Sequence, residues 1–136
     1  MSNGLDKILF DLCQRAQNNA YAPYSNYKVG ACVVTKANNA YLGSNIENKA
    51  YGSTICAERS ALVNAYSNGV KKDDIKYFAL LTANANIEYP CGACLQVMNE
   101  LLNADTEIYL FARNGDFKVV KIDAVLPCPF GKTTNV

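Results

Sequence analysis

The chain has six cysteines and no histidine, so any transition-metal site in it is built from thiolates and oxygen ligands. Three of the cysteines fall in two short segments, Thr54-Ile55-Cys56-Ala57-Glu58-Arg59 and Pro90-Cys91-Gly92-Ala93-Cys94. Each segment places a cysteine at the N-terminus of an expected helix. Unpaired N–H groups and the positive end of the helix dipole there favour thiolate over thiol. Pro90 suits a strand-to-helix junction, and Gly92 permits close backbone approach. A fold that sets these two helix starts head to head collects three thiolates around one ion.

Three protein ligands leave the fourth tetrahedral position of a catalytic zinc open to water, whereas a structural site would fill it with a fourth Cys or His. Glu58 stands two residues after Cys56 and looks exposed beside this set, close enough to take a proton from bound water and deliver it elsewhere. Three thiolates on Zn²⁺ leave a net charge near −1. Arg59 is the arginine nearest in sequence to a ligand, and its guanidinium is expected to donate to a ligand thiolate. Taken singly these features have other readings. The Cys91–Cys94 pair also fits a redox couple, Cys56 alone fits a small buried apolar residue, and the zinc could serve a binding module as a purely structural ion.

Composition narrows the remaining classes. Half of the 136 residues are apolar and 18% are charged, which suits one folded domain spanning 1–136. The net charge is +1, and the three arginines, Arg15, Arg59 and Arg113, form no basic stripe, so nucleic acid is not an expected partner. Lys71-Lys72-Asp73-Asp74 reads as a solvated loop. The N-terminus carries no secretory pattern, and no apolar stretch approaches the roughly 20 residues that span a bilayer. No membrane association and a cytoplasmic setting are therefore expected. Reduced cytosolic thiols also argue against a disulfide framework.

Apolar residues at helical spacing predict a first helix from Leu5 to about Asn19. A hairpin follows, Lys28 to Thr35 and Tyr41 to Ser44, turned at Asn38-Asn39. Thr54 is positioned to cap a helix running to about Ser67, with Ala57, Ala61, Leu62 and Ala65 on its inner face. The run from Tyr77 to Leu81 predicts a strand covered on both faces. A helix begins near Cys91 and buries Cys94, Leu95, Met98, Leu101 and Leu102. Glu107 to Phe111 and Phe117 to Lys121 complete the sheet. Alternating helix and strand after residue 50 predict an α/β sandwich with a mixed sheet.

In order along the chain stand Ala20-Tyr21-Ala22-Pro23-Tyr24-Ser25-Asn26-Tyr27, Val29-Gly30-Ala31, Asn45-Ile46-Glu47-Asn48, Tyr51-Gly52, Cys56-Ala57-Glu58-Arg59, Pro90-Cys91-Gly92-Ala93-Cys94 and Leu126-Pro127-Cys128-Pro129-Phe130-Gly131. The Cys-x-Glu and later Pro-Cys-x-x-Cys pattern is that of zinc deaminases. With the other segments, the chain resembles the small, homotetrameric cytidine deaminases nearly end to end. The resemblance implies a three-layer α/β/α sandwich with about five strands, one Zn²⁺ per subunit on Cys56, Cys91 and Cys94, and a homotetramer. The implied reaction converts cytidine and deoxycytidine to uridine and deoxyuridine with release of ammonia, a step of pyrimidine salvage. Zinc hydroxide would attack C4 while Glu58 shuttles the proton to N3 and then to the leaving group.

Carried over by position, Asn45 and Glu47 would bind the ribose hydroxyls, and Tyr27 would flank base and sugar. The Ala57 N–H would meet the pyrimidine carbonyl, and Phe130 would enter the pocket of a neighbouring subunit. Two residues depart from the family pattern: Leu95 stands where an arginine often follows the second motif cysteine, and Tyr27 replaces the usual phenylalanine. A cytosine nucleoside antibiotic is a rival substrate within the same fold, and Asn45 with Glu47 favours ordinary ribose.

Without the resemblance, several of these residues read more simply. Asn45 and Glu47 would be a solvated strand end sharing one face, and Phe130 a core plug. At least two of Tyr21, Tyr24 and Tyr51 would be packed side chains with one hydrogen bond each. Cys13 and Cys32 read as core residues. Pro127 and Pro129 stiffen the backbone around Cys128, which argues against its being a fourth zinc ligand.

Overall fold

The computed structural model describes residues 4–131. Its first helix, α1 (Leu5–Asn18), buries Leu9, Cys13 and Ala16, the stripe that the apolar spacing predicts. Strands β1 (Gly30–Thr35) and β2 (Ala40–Ser44) pair antiparallel. Their turn depends on Asn38, which takes a φ of 67°, a left-handed conformation asparagine tolerates well. Next come α2 (Ala57–Ser67), β3 (Ile75–Leu81), α3 (Gly92–Leu101), β4 (Glu107–Phe111) and β5 (Phe117–Val120). A four-residue helix, α4 (Ile122–Val125), closes the described chain and was not foreseen from periodicity, because one turn is too short to display any.

The five strands form one sheet in the order β2-β1-β3-β4-β5. Only β3 and β4 run parallel; the other pairs are antiparallel, so the sheet is mixed as expected. Side-chain alternation sorts its central strands into two layers. Ala31, Val33, Phe78, Leu80, Ile108 and Leu110 face the core shared with α2 and α3, including Leu62, Leu95 and Met98. Cys32, Ala79, Leu81, Tyr109 and Phe111 face the opposite way, onto Leu9 and Cys13 of α1. This is the α/β/α sandwich. Cys13 and Cys32 are both fully buried, with their sulfurs 3.8 Å apart.

Two glycines set how closely the helices approach. A Cβ at Gly43 in β2 would lie 2.1 Å from the Ala61 nitrogen of α2. A Cβ at Gly30 in β1 would lie 2.0 Å from the Cys13 carbonyl oxygen of α1. Both helices therefore rest backbone against strand at these points. Gly30 also pairs with Ser44 on one side and Leu81 on the other, bringing the start of β1 and the ends of β2 and β3 to one edge of the sandwich.

Candidate metal centre and active site

At that edge the two helix starts meet. Cys56 is the N-cap residue of α2 and Cys91 the N-cap residue of α3; Cys94 lies in the first turn of α3. The three sulfurs all lie within 4.8 Å of one another. Tetrahedral zinc with Zn–S bonds of about 2.3 Å sets sulfurs roughly 3.8 Å apart, so a set gathered within this limit suits one ion. The protonation energetics fit a cation as well. Burial above all, then the negative charges of Glu58 and Cys56, push the Cys94 thiol far above its ordinary pKa. At Cys91 burial opposes ionisation, but the N–H groups of Cys94 and Ala93 and the Cys94 thiol outweigh it and lower the pKa. Three thiolates here repel one another unless a positive ion sits among them.

Cys128 is exposed and outside this cluster, so the set has three cysteines among the described residues. Arg59 completes it from behind, its Nη2 donating to Cys56 Sγ at 3.4 Å. That bond and the neighbouring sulfurs raise the guanidinium above its ordinary pKa, so it stays charged. Leu95 is buried in the core beneath α2 and α3.

Glu58 departs from the sequence expectation. It is not exposed: 6% of its surface meets solvent, because the first turn of α2 packs against the sheet and α3. Burial raises its pKa, while its own backbone N–H, the Arg59 charge and the Cys94 thiol pull the other way. The capping role expected of Thr54 is also corrected. Helix α2 starts at Ala57 with Cys56 as N-cap and no side-chain capping bond, because the backbone is still extended at Thr54 and Cys56 and Ile55 is paired with Ile46.

A cavity of about 310 Å³ opens beside the cysteines. Tyr27, Asn45, Cys56, Ala57, Glu58 and Cys91 line it, bringing together six of the residues singled out in the sequence. Glu47, Cys94, Arg59 and Phe130 are not in its lining. Val29, Thr54, Leu80, Thr82, Glu88 and Tyr89 line it as well and were not foreseen. Glu88 and Tyr89 precede Pro90-Cys91 and Thr54 precedes Cys56, so proximity to the ligands was the available signal. Val29, Leu80 and Thr82 reach the cavity only because the strand ends converge.

Asn45 and Glu47 are both 7% exposed while Ile46 between them points outward, so they share one face as alternation requires. Neither is a solvated strand end. The Asn45 side chain accepts from the Val29 N–H at 2.9 Å and donates to the Tyr27 carbonyl at 2.8 Å. Glu47 Oε1 accepts from the N–H groups of Tyr24 and Ser25, and its Oε2 accepts from the Ser25 hydroxyl. The Ser25 hydroxyl bond leads in lowering the Glu47 pKa; desolvation opposes it, and the two backbone bonds add to the lowering. These two side chains thus hold the segment that carries Tyr27.

Tyr21, Tyr24 and Tyr51 are each more than half exposed, which overturns the expectation that at least two of them pack inside. The backbone accounts for Tyr21, which bridges Ile46, itself bridged to Ile55, while its ring stays outside. Phe130 is 89% exposed, so it is no core plug of this chain.

The family model described as the cytidine and deoxycytidylate deaminase zinc-binding region matches residues 4–110. The chain is 43% identical over 116 residues to the cytidine deaminase of Halalkalibacterium halodurans, covering 85% of this chain and 86% of that one. It is 34% identical to the cytidine deaminase of Mycoplasma genitalium, covering 98% and 100%. The crystal structure of cytidine deaminase from Burkholderia pseudomallei superposes with a TM-score of 0.88 at 38% identity, covering 96% of this chain and 100% of that one. The cysteine triad, the buried glutamate and these matches together mean that the chain belongs to the zinc-binding cytidine and deoxycytidylate deaminase family.

Proposed function

We propose that the protein is a zinc-dependent enzyme that hydrolyses cytidine and deoxycytidine to uridine and deoxyuridine with release of ammonia. The observation that carries this reading is the cavity in which a buried carboxylate, Glu58, stands beside three convergent thiols. Cys56, Cys91 and Cys94 would hold one zinc per subunit, and when bound it supplies the Lewis acidity that brings the ionisation of water near neutrality. Glu58 takes the proton that the attacking water gives up and holds it on a carboxylate oxygen. It then delivers this proton to N3 of the base, takes up the proton of the hydroxyl now on C4 and passes it to the amino nitrogen, so that the C4–N bond breaks, ammonia departs and C4 is left as a carbonyl. The burial that raises its pKa suits a group that must both take and return a proton.

The other residues bind. The Ala57 N–H, at the start of α2, is free of intrahelical bonding and donates to the pyrimidine carbonyl. Asn45 keeps one amide hydrogen, and Glu47 keeps lone-pair capacity on Oε2, after their loop contacts. Those remaining positions suit sugar hydroxyls. Tyr27 flanks the nucleoside along the cavity wall. Phe130 extends from its own protomer and would complete the pocket of a neighbour in a homotetramer. The cavity lining has no lysine or arginine among the described residues, which suits a free nucleoside and no nucleic acid. No described helix is long and apolar enough to cross a membrane; a single cytoplasmic domain acting in pyrimidine salvage is the setting we infer.

Metal analysis with ammonia release from cytidine tests the proposal. The native protein should carry one zinc per subunit and turn over, and Glu58→Gln should keep the zinc while losing about 10²- to 10⁴-fold in rate. Bound zinc without turnover in the native protein would sink the enzyme reading.

A further inference from the structure

The catalytic cavity has a floor and a rim. Asn45, Ala57 and Glu58 in its lining are buried, whereas Tyr27, Glu88 and Tyr89 are exposed. Glu88 gives that rim a carboxylate, and the carboxylate is held in place. Its Oε2 accepts from the Asn84 side-chain amide at 2.6 Å. Asn84 is tied in turn to the strand ends: its carbonyl accepts from the Arg113 N–H at 2.8 Å, and its own N–H donates to the Thr82 hydroxyl at 3.3 Å. A neutral amide positions the carboxylate without cancelling its charge. Two cations lie in the same region and have other partners. Lys118 Nζ donates to the Tyr89 hydroxyl at 3.0 Å and Arg113 Nη1 to the Ala83 carbonyl at 3.3 Å; neither side chain lines the cavity.

We propose that Glu88 is a specificity-determining residue, whose carboxylate at the cavity rim turns away nucleosides that carry a 5′-phosphate. The family takes its description from both cytidine and deoxycytidylate, a neutral nucleoside and a phosphate monoester. A member must therefore tell the two apart at the end of the ligand far from the base. With the base on the buried floor beside Glu58, the outer end of the sugar faces the rim. A phosphate monoester there carries a charge of about −1.5 to −2 near pH 7. A cavity of about 310 Å³ is roughly 8 Å across, about one screening length at physiological salt, so a phosphate at the rim meets the field of Glu88. An uncharged 5′-hydroxyl does not. The proposal rests on the deaminase reading, which puts the base on the floor, and it concerns a side chain that neither the metal nor the proton transfer requires.

The test compares zinc-loaded wild type with Glu88→Gln, which keeps the shape and an acceptor for Asn84, and with Glu88→Lys, which reverses the charge. kcat/KM is measured for cytidine and for cytidine 5′-monophosphate. The preference for cytidine should fall about five- to tenfold in Glu88→Gln and further in Glu88→Lys, with the change carried by the monophosphate. Salt of about 1 M shortens the screening length to about 3 Å and should narrow the gap between wild type and Glu88→Gln. A role in shape alone would follow neither charge nor salt. An equal preference in wild type and Glu88→Gln would overturn the proposal, as would a gain on cytidine as large as that on the monophosphate. Titration calorimetry with uridine and uridine 5′-monophosphate separates this outcome from failure of the deaminase reading. Zinc-loaded wild type inert toward cytidine defeats that reading alone. The same ratio of the two affinities in wild type and Glu88→Gln defeats the role of Glu88, and so does a monophosphate that binds none of the three proteins.

Discussion

Glu58 and Glu47 are two buried carboxylates whose environments push their pKa values apart, and the direction of each shift fits the role inferred for it. Glu58 loses water on burial and is raised, so it carries a proton readily. Glu47 accepts from the Ser25 hydroxyl and two backbone N–H groups and is lowered, so it stays a carboxylate. A group lowered on folding contributes stability that is present above its unfolded pKa and is lost as pH falls through its folded value. Glu47→Gln should therefore melt below wild type at pH 7, and the gap should close under acid; thermal melts across pH check this. A gap that widened on acidification would contradict the assignment. Arg59 offers a second test at this scale. Its Nη2 donates to Cys56 Sγ, so Arg59→Gln should weaken zinc binding about 10- to 100-fold in competition with a chelator. Full zinc affinity and full activity in that variant would refute the role.

Elements place these side chains, and the spacing between elements is fixed by glycine where helix meets strand. Adding a methyl at Gly43 would drive a carbon to 2.1 Å from the α2 backbone, so the helix must shift. Overpacking of this kind costs about 1–3 kcal/mol, and α2 carries both Cys56 and Glu58. Gly43→Ala should lower stability by about that amount and reduce zinc retention and turnover together. Gly52→Ala is the control, because a Cβ at Gly52 meets nothing within 4 Å. Denaturation curves alongside metal content read both effects. At this scale the elements were largely legible. Spacing predicted α1, the hairpin, β3, β4 and the buried face of α2, because amphipathic periods are properties of the chain itself. The start of α2 differs from the sequence expectation, since Thr54 has the right chemistry for a cap but the pairing of Ile55 with the distant Ile46 keeps the chain extended until Cys56.

At the scale of the whole molecule, one protomer leaves apolar surface uncovered near its active site. Tyr21, Ile46 and Ile55 are bridged side by side and exposed, and Phe130 stands almost wholly in solvent. Contiguous exposed apolar surface of this sort marks an interaction face. If Phe130 completes a neighbour's pocket, specific activity should fall on dilution to protomers, and Phe130→Ala should lose activity while each protomer keeps its zinc. A fully active monomer, seen by light scattering beside the assay, would refute the shared pocket. The amino-acid sequence by itself determined the chemistry of this protein. Three cysteines without a histidine, a glutamate two residues after the first of them, and helix-start spacing are local facts, and they specify a thiolate site with a proton carrier. The tertiary structure alone decided which groups surround it. Glu58 is buried, Asn45 and Glu47 grip the segment bearing Tyr27, and Val29, Leu80 and Thr82 reach the cavity. These positions follow from strand ends converging at one edge of the sheet, a contact between residues far apart in the chain that no local pattern records.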